Sequence, residues 1–273
     1  MNGDANMQPS LPILTLLKSS AWGIASYRKG LILTAVYCVL LTAIMLVALL
    51  FATENGAEYL RGRGFTENIL NVDVVWSRMA FVGLFLLGVL VLGVGVFNMW
   101  VRFAVLGIDE VGFPSVGQAV IAAVINLVKL LAIGILAHVI GMILLLFLYL
   151  VSGLEQNQLI DDAIPAVLAC CAFAFFADTL VKTALARDVG NIGPKYWERF
   201  ALLLSLLWAL EYMLVLLLLE VMSFFWVSIA FLPFDIISVA LTAALFGYRQ
   251  VWRLRVFVGE DHEEIPVERR NGA

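Results

Sequence analysis

The stretch of sequence that decides the fold is 194-PKYWERFALLLSLLWALEYMLVLLLLEVMSFFWVSIAFLPFDIISVALTAALFGYRQVWRLRVFVG-259. It begins with a mixed polar and apolar lead-in, continues through two long apolar runs, and ends in a basic segment with Arg249, Arg253 and Arg255. Each apolar run approaches the ~20 residues that an α-helix needs to cross the hydrocarbon core of a bilayer. We therefore interpret this unit as a transmembrane helical hairpin that follows an amphipathic helix.

The composition of the whole chain agrees with this interpretation. Of the 273 residues, 63% are hydrophobic and 14% are charged. In soluble domains about 45–50% of residues are apolar and about 25% are charged. Residues 30–53 and 79–101 each contain no charged side chain. The sequence therefore predicts an all-α polytopic membrane protein.

Six transmembrane helices are predicted, at residues 31–52, 79–100, 130–151, 163–185, 212–232 and 235–255. We interpret them as three helical-hairpin repeats, each preceded by an interfacial amphipathic lead-in that begins at Pro12, Pro114 or Pro194. Chance similarity between apolar sequences is the alternative to a true repeat. The predicted divisions are a disordered N-terminus at 1–10, the membrane domain at 11–258 and a polar cytoplasmic tail at 259–273.

In the first lead-in, apolar and polar residues fall on opposite sides of a helix with 3.6 residues per turn. The apolar side holds Ile13, Leu14, Leu16, Leu17, Ala21 and Ile24, and the polar side holds Thr15, Lys18, Ser19 and Ser26, with Trp22 among them. This pattern is typical of a helix that lies in the headgroup plane. The alternative is a helix that packs on the spans as a cap.

The boundary between the fifth and sixth spans is open to two divisions. One places the fifth span at 200–219 and the turn at Glu220. The other places the span at 212–232 and the turn at Pro233 to Asp235. We favour the second division because proline and aspartate are common turn residues.

The distribution of Lys and Arg predicts the orientation. One side of the predicted topology holds Lys18, Arg28, Lys29, Arg102, Lys182, Arg187, Lys195, Arg199, Arg249, Arg253, Arg255, Arg269 and Arg270, and the other holds Arg61, Arg63 and Arg78. Because positively charged loops stay in the cytoplasm, both termini are expected there. The first span is longer than the apolar region of a signal peptide and lacks a small-residue cleavage pattern, so we expect it to be retained.

Two ionisable residues are candidates for an intramembrane site. Under the favoured division, His138 follows Lys129 by nine residues and Glu220 follows Glu211 by nine. That distance is about 13–14 Å along a helix, near the middle of a bilayer core of about 30 Å. A His138–Glu220 pair at this depth could relay protons, bind a cation or polar headgroup, or simply join two helices. Under the other division Glu220 is a loop residue.

A second candidate pair, Asp178 and Lys182, is spaced i, i+4 near the inner end of the fourth span. Opposite charges at this spacing stabilise a helix by about 0.2–0.5 kcal/mol. We interpret the pair as an interfacial ion pair.

The sequence predicts no catalytic residues, metal site or cofactor. It lacks a Gly-rich phosphate loop, a nucleophile elbow and a His-Glu-x-x-His segment. His138 and His262 are the two histidines, which is too few for a His-rich metal site. Cys38, Cys170 and Cys171 lie in predicted spans without metal-ligand spacing, so we interpret them as reduced packing residues. No nucleic-acid partner is expected.

The segment Trp100-x-Arg102-Phe103-x-x-Leu106-Gly107, together with the amphipathic leader, resembles a loose group of six-span bacterial membrane proteins found in alphaproteobacteria. Their layout is similar to the membrane domain that accompanies some glycerophosphodiester phosphodiesterases. The resemblance implies a bacterial inner-membrane protein. We expect no phosphodiesterase activity, because the chain shows no soluble phosphodiesterase domain, and no functional residues carry over.

Two functions follow as hypotheses. In the first, a non-enzymatic membrane protein organises lipids, or binds a second copy of itself or another membrane protein, through its lead-ins and small-residue faces. In the second, a small-solute or ion transporter or channel uses the His138–Glu220 pair near the membrane midplane. A hydrated cavity at that pair would favour transport, because a structural pair needs none.

Overall fold

The computed structural model describes residues 12–52, 72–113, 115–152, 158–186 and 197–258. In these ranges the regular secondary structure is helical. The helices are α1 (Ile13–Ser26), α2 (Arg28–Ala52), α3 (Val72–Leu106), α4 (Val116–Ser152), α5 (Gln158–Phe175), α6 (Ala177–Leu185), α7 (Trp197–Val221) and α8 (Phe224–Val258). The predicted disordered N-terminus and the predicted cytoplasmic tail lie outside the described residues.

The prediction of an all-α polytopic bundle is confirmed. Helices α2, α3, α4, α7 and α8 are each long and apolar enough to cross a membrane. Helices α5 and α6 meet these criteria together, but they bend by 54° at a break around Phe176. The described residues therefore contain five candidate spans, or six if the bent pair α5 and α6 is counted as one span.

Helices α3 and α8 form the centre of the bundle. Helix α3 contacts α2, α4, α6 and α8, and α8 also contacts α1, α2, α6 and α7. Helix α5 lies between α4 and α7, and these three helices form one side of the bundle. The short helices α1 and α6 both pack on α8, at the end of the bundle where α3 ends.

The favoured division of the last two spans is wrong. Helix α7 continues to Val221, the chain turns at Met222 and Ser223, and Pro233 lies inside α8. A proline inside a helix removes one backbone hydrogen bond, whereas a turn inside hydrocarbon would leave several backbone groups without partners. The membrane therefore favours a turn beside the exposed Glu220, although Pro233 is the stronger turn residue in water.

The three lead-ins differ in structure. The first is the separate helix α1, which begins after Pro12. The second is continuous with its span, because α4 runs unbroken for 37 residues. In the third unit α7 already begins at Trp197, so the lead-in residues are part of the span itself.

Helix α1 packs on the bundle through small residues. Ser20 is fully buried, Ser19 is 7% exposed, and a Cβ on Gly23 would lie 2.5 Å from the Tyr248 hydroxyl oxygen. Ser19 was expected on the polar outer side, and its burial corrects that assignment. Leu14 and Trp22 are exposed. The contacts therefore fit the cap interpretation, and the outer face remains apolar enough to touch a bilayer.

Candidate functional site

The structure does not bring His138 and Glu220 together. Glu220 is exposed in the last turn of α7, eight residues and about 12 Å beyond Tyr212 along the helix. His138 instead lies in the opposite direction along the bundle, in a cavity that Tyr212 also lines. The pair depended on a turn at Pro233, and the observed turn at Met222 and Ser223 removes that basis. The transport hypothesis loses its site for the same reason.

His138 does line a polar cavity, formed by α4, α5 and α7. The cavity has a volume of about 470 Å³. Its lining residues are Gly134, His138, Asp161, Asp162, Pro165, Ala166, Ala169, Trp208 and Tyr212. Because His138 and Asp162 are exposed, the cavity opens at the outer surface of the bundle.

The close packing of α4 on α5 beside this cavity depends on Gly141. A Cβ on Gly141 would lie 2.9 Å from the Cα of Pro165, so only glycine allows this approach. Opposite Gly134, in contrast, the nearest atom to an added Cβ is Phe173 Cζ at 3.8 Å. The two helices therefore meet tightly at Gly141 and leave space beside Gly134 and His138.

Two aspartates define the polar end of the cavity. The Tyr149 hydroxyl donates to Asp161 Oδ1 over 2.6 Å, and the Tyr212 hydroxyl donates to Asp162 Oδ2 over 2.7 Å. The rings of Trp208 and Tyr212 stack with centroids 5.1 Å apart. Since Tyr149 lies three residues before the end of α4, this level is about 4–5 Å inside the helix end. The carboxylates therefore lie near the end of α4 but about 13–14 Å before the end of α7.

The sequence contains a weak signal for this site. Asp161 and Asp162 lie in a short acidic connection before the fourth predicted span, and Trp208 and Tyr212 lie in a long apolar run. The spacing i, i+4 places the two aromatic residues on one face of α7. Pairing that face with the two aspartates required knowledge of which helices are neighbours.

A second polar contact lies on another face of α7. The Ser238 hydroxyl of α8 donates to Glu211 Oε2 over 2.9 Å, and Asp235 lies within electrostatic range of Glu211. Glu211 was predicted to mark the start of a span and Asp235 to lie in a turn. With the turn at Met222, both carboxyl groups instead lie well within the α7–α8 hairpin.

Asp178 of the second predicted pair binds a residue from another helix. The Arg249 Nη1 group donates to Asp178 Oδ1 over 2.9 Å, and the Arg249 guanidinium lies 5.1 Å from the Phe200 ring centroid. The Arg249 side chain is fully buried. The Asp178–Lys182 contact stays a prediction. The ion pair with Arg249 joins α6 to α8 and is structural in character.

A polar face in the first half of α4, with Asn126 and Lys129, binds α3 and α6. The Asn126 amide donates to Asn98 Oδ1 over 2.7 Å and to the Leu180 carbonyl over 3.0 Å. Lys129 Nζ donates to Thr183 Oγ1 over 2.5 Å. These bonds hold the short helix α6 against α3 and α4 after the break at Phe176.

Trp100 of the segment from Trp100 to Gly107 is fully buried at the junction of α1, α2 and α3. Its indole Nε1 donates to Thr34 Oγ1 over 2.9 Å, and Phe103 stacks on Tyr27 with centroids 4.5 Å apart. Burial raises the pKa of the Tyr27 phenol above its ordinary value, so the ring stays neutral. A Cβ on Gly30 would overlap the Tyr27 ring.

Arg102 of the same segment binds backbone carbonyls. Its guanidinium donates to Val111 at 2.9 Å, Leu185 at 2.9 Å, Glu110 at 3.0 Å and Gly112 at 2.7 Å. Leu185 is the last residue of α6, where the helix dipole favours a cation. Gly107 ends α3 with φ 85°, a conformation that favours glycine. The segment is therefore explained by packing and capping alone.

Among the described residues, no group of three or more His, Cys, Asp or Glu side chains could hold a metal ion. The chain matches no protein-family model, no curated protein and no solved structure.

Proposed function

We propose that the protein is a non-enzymatic membrane protein that binds a membrane lipid in the cavity between α4, α5 and α7. The observation that carries the proposal is the cavity itself, with a volume of about 470 Å³, two carboxylates near one end and an opening at the outer surface of the bundle. Small-molecule sites commonly have volumes of roughly 300–1,000 Å³.

The exposed apolar surface of α4 beside the cavity supports the proposal that the ligand enters from the bilayer. Helix α4 exposes Ile135, Leu146 and Phe147 to the outside, with exposed fractions above 60%. These side chains would contact acyl chains. A lipid can therefore enter sideways, with its headgroup at the level of Asp161 and Asp162 and an acyl chain beside Ala166 and Ala169.

An apolar groove between α2 and α3 supports further lipid contact. It has a volume of about 710 Å³. Its lining residues are Leu40, Ala43, Ile44, Val47, Val82, Leu84, Phe85, Gly88, Val89 and Leu92. This groove suits an acyl chain or a helix of a second membrane-protein copy, in agreement with the predicted lipid and homo-oligomer partners.

The proposal includes a location and an orientation. The buried Arg102 and Arg249 and the partly exposed Lys129 lie at the end of the bundle that carries α1, and the positive-inside rule assigns that end to the cytoplasm of a bacterial cell. Both termini would then be cytoplasmic in the inner membrane. The cavity carboxylates, at the other end, would face the outer leaflet. Membership of the six-span bacterial group is part of the same proposal.

Filling the cavity tests the proposal. The substitution Gly134→Leu places a side chain into the space beside Phe173, whereas Gly83→Leu on α3 adds the same side chain where no atom lies within 4 Å. Native mass spectrometry after mild detergent extraction counts the lipids that remain bound to each variant. We expect Gly134→Leu to retain less than half the lipid of the unsubstituted protein, and Gly83→Leu to retain all of it. Equal retention by the two variants would refute the proposal.

A further inference from the structure

We propose that the cavity selects lipids whose headgroup carries a protonated amine, such as phosphatidylethanolamine, over lipids with a purely anionic headgroup. This inference rests on the proposed lipid-binding function and adds the chemical class of the ligand. Four features of the cavity carry it: its charge, its hydrogen-bond acceptors, its aromatic face and its depth.

The charge of the cavity favours a cation. The ionisable lining residues are Asp161, Asp162 and His138, and the described lining contains no Lys or Arg. An anionic headgroup without an amine would bring its phosphate toward two carboxylates with no Lys or Arg side chain to offset them. An ammonium group at the same place would be attracted to both carboxylates.

The hydrogen-bond acceptors match an ammonium group. The Tyr149 and Tyr212 hydroxyls use one oxygen of each carboxylate. The tyrosines hold the carboxylates in place, and each carboxylate has a second oxygen that can accept a hydrogen bond. An ammonium group has three N–H donors and no acceptor, so it can bind two carboxylates at once.

The aromatic residues provide a second kind of contact with a cation. Trp208 and Tyr212 lie in the cavity wall with ring planes inclined by 21°. A cation within about 6 Å of an indole face is attracted by the ring quadrupole. The combination of carboxylates and an indole distinguishes this cavity from a simple acidic surface.

The depth of the groups follows the order of groups in a phospholipid. Asp161 and Asp162 are near the start of α5, where a headgroup amine would lie. His138 lies deeper, and an imidazole N–H can donate to a phosphate or ester oxygen. Pro165, Ala166 and Ala169 leave an apolar surface for the start of an acyl chain.

The test compares two phospholipids with identical acyl chains, one with an ethanolamine and one with a glycerol headgroup. The nanodiscs contain equal amounts of both lipids. Native mass spectrometry measures the ratio of the two lipids retained by the full chain. We expect the ethanolamine lipid to be favoured by about tenfold. Its ammonium group can donate at least one more charge-assisted hydrogen bond to the carboxylates than the glycerol headgroup can. The double substitution Asp161→Asn and Asp162→Asn should reduce the preference to within about twofold while lipid remains bound.

The controls separate this inference from the proposed function. Asp109→Asn, in the exposed loop after α3, should leave the preference unchanged. Retention of lipid without a headgroup preference would refute the amine selectivity and leave the lipid-binding proposal intact. An undiminished preference in the double variant would also refute the selectivity at this site. Absence of retained lipid in the unsubstituted protein would refute both.

Discussion

The two ends of the bundle differ in how far their apolar side chains are buried by other parts of the protein. At the basal end, where α1, α6 and the end of α3 meet, Trp100, Phe200 and Leu245 are fully buried. At the distal end, where α4 and α7 end, Leu150 and Val221 are 76% and 79% exposed. Most of the buried core lies at the basal end, whereas the ends of α4 and α7 expose apolar side chains and have few buried residues. The cavity proposed to bind lipid has its carboxylates in the distal half of the bundle.

The largest effect is expected from Arg102→Leu at the basal end. The substitution leaves four backbone carbonyls without their guanidinium donor, and we expect a loss of about 3–5 kcal/mol of unfolding free energy. Equilibrium unfolding in detergent micelles, followed by tryptophan fluorescence, measures it. Arg28→Leu, at an exposed position, should change the free energy by less than about 0.5 kcal/mol. Similar losses of unfolding free energy in the two variants would contradict the conclusion that the contacts of Arg102 stabilise the basal end.

Two glycine substitutions, one at a packed and one at an open position, should change the free energy of unfolding in opposite directions. In Gly247→Ala the new Cβ would lie 2.6 Å from Ala104 Cβ and 3.0 Å from the Val101 carbonyl oxygen, so we expect a loss of about 1–3 kcal/mol. In Gly88→Ala nothing lies within 4 Å, and alanine should stabilise the helix by up to about 1 kcal/mol. The same unfolding measurement compares them. Destabilisation by Gly88→Ala would show that the distal half is packed more tightly than described.

A smaller effect is expected from Trp100→Phe. The ring remains buried, but the hydrogen bond from the indole to Thr34 is lost, and we expect a cost of about 1 kcal/mol. The measurement is the detergent unfolding midpoint, since the slope should stay constant. Trp22→Phe, on the exposed face of α1, should leave the midpoint unchanged. A larger change for Trp22 would place α1 in a contact beyond those described.

The smallest effect is expected for Ser238→Ala on α8. It removes the hydroxyl that donates to Glu211, and interhelical hydrogen bonds in membrane proteins contribute about 0.6 kcal/mol on average. A double-mutant cycle with Glu211→Gln isolates that contribution. A coupling energy above about 2 kcal/mol would show that this contact stabilises the bundle as strongly as basal contacts do.

The helices were predictable from the sequence because lipid imposes a simple length rule. Runs without charge near residues 31–52 and 79–100 fall within α2 and α3. The turn between α7 and α8 was not predictable from turn propensity, because Met222 and Ser223 are a weaker turn signal than Pro233 and Asp235. In a membrane the position of a turn is decided by where backbone groups reach water, and local propensity counts for less.

The candidate site was predictable only in part. His138 could be identified as an ionisable residue inside a span, and the structure places it in the cavity. Its neighbours Asp162 and Tyr212 are 50 residues apart in sequence. Their meeting depends on α5 lying between α4 and α7, which no local pattern encodes. The polar face of Asn126 and Lys129 was visible as a helical pattern, but its partner α6 was not.

The ion pair between Asp178 and Arg249 has a consequence for biosynthesis. The two residues are separated by 71 positions, and a ribosome that adds about 5–20 residues per second needs about 4–14 s to make that length. During this interval the arginine that binds Asp178 has not yet been synthesised. We therefore expect the contact between α6 and α8 to form only after the last helix has been made. Chains truncated before Arg249 should expose α6 to proteases.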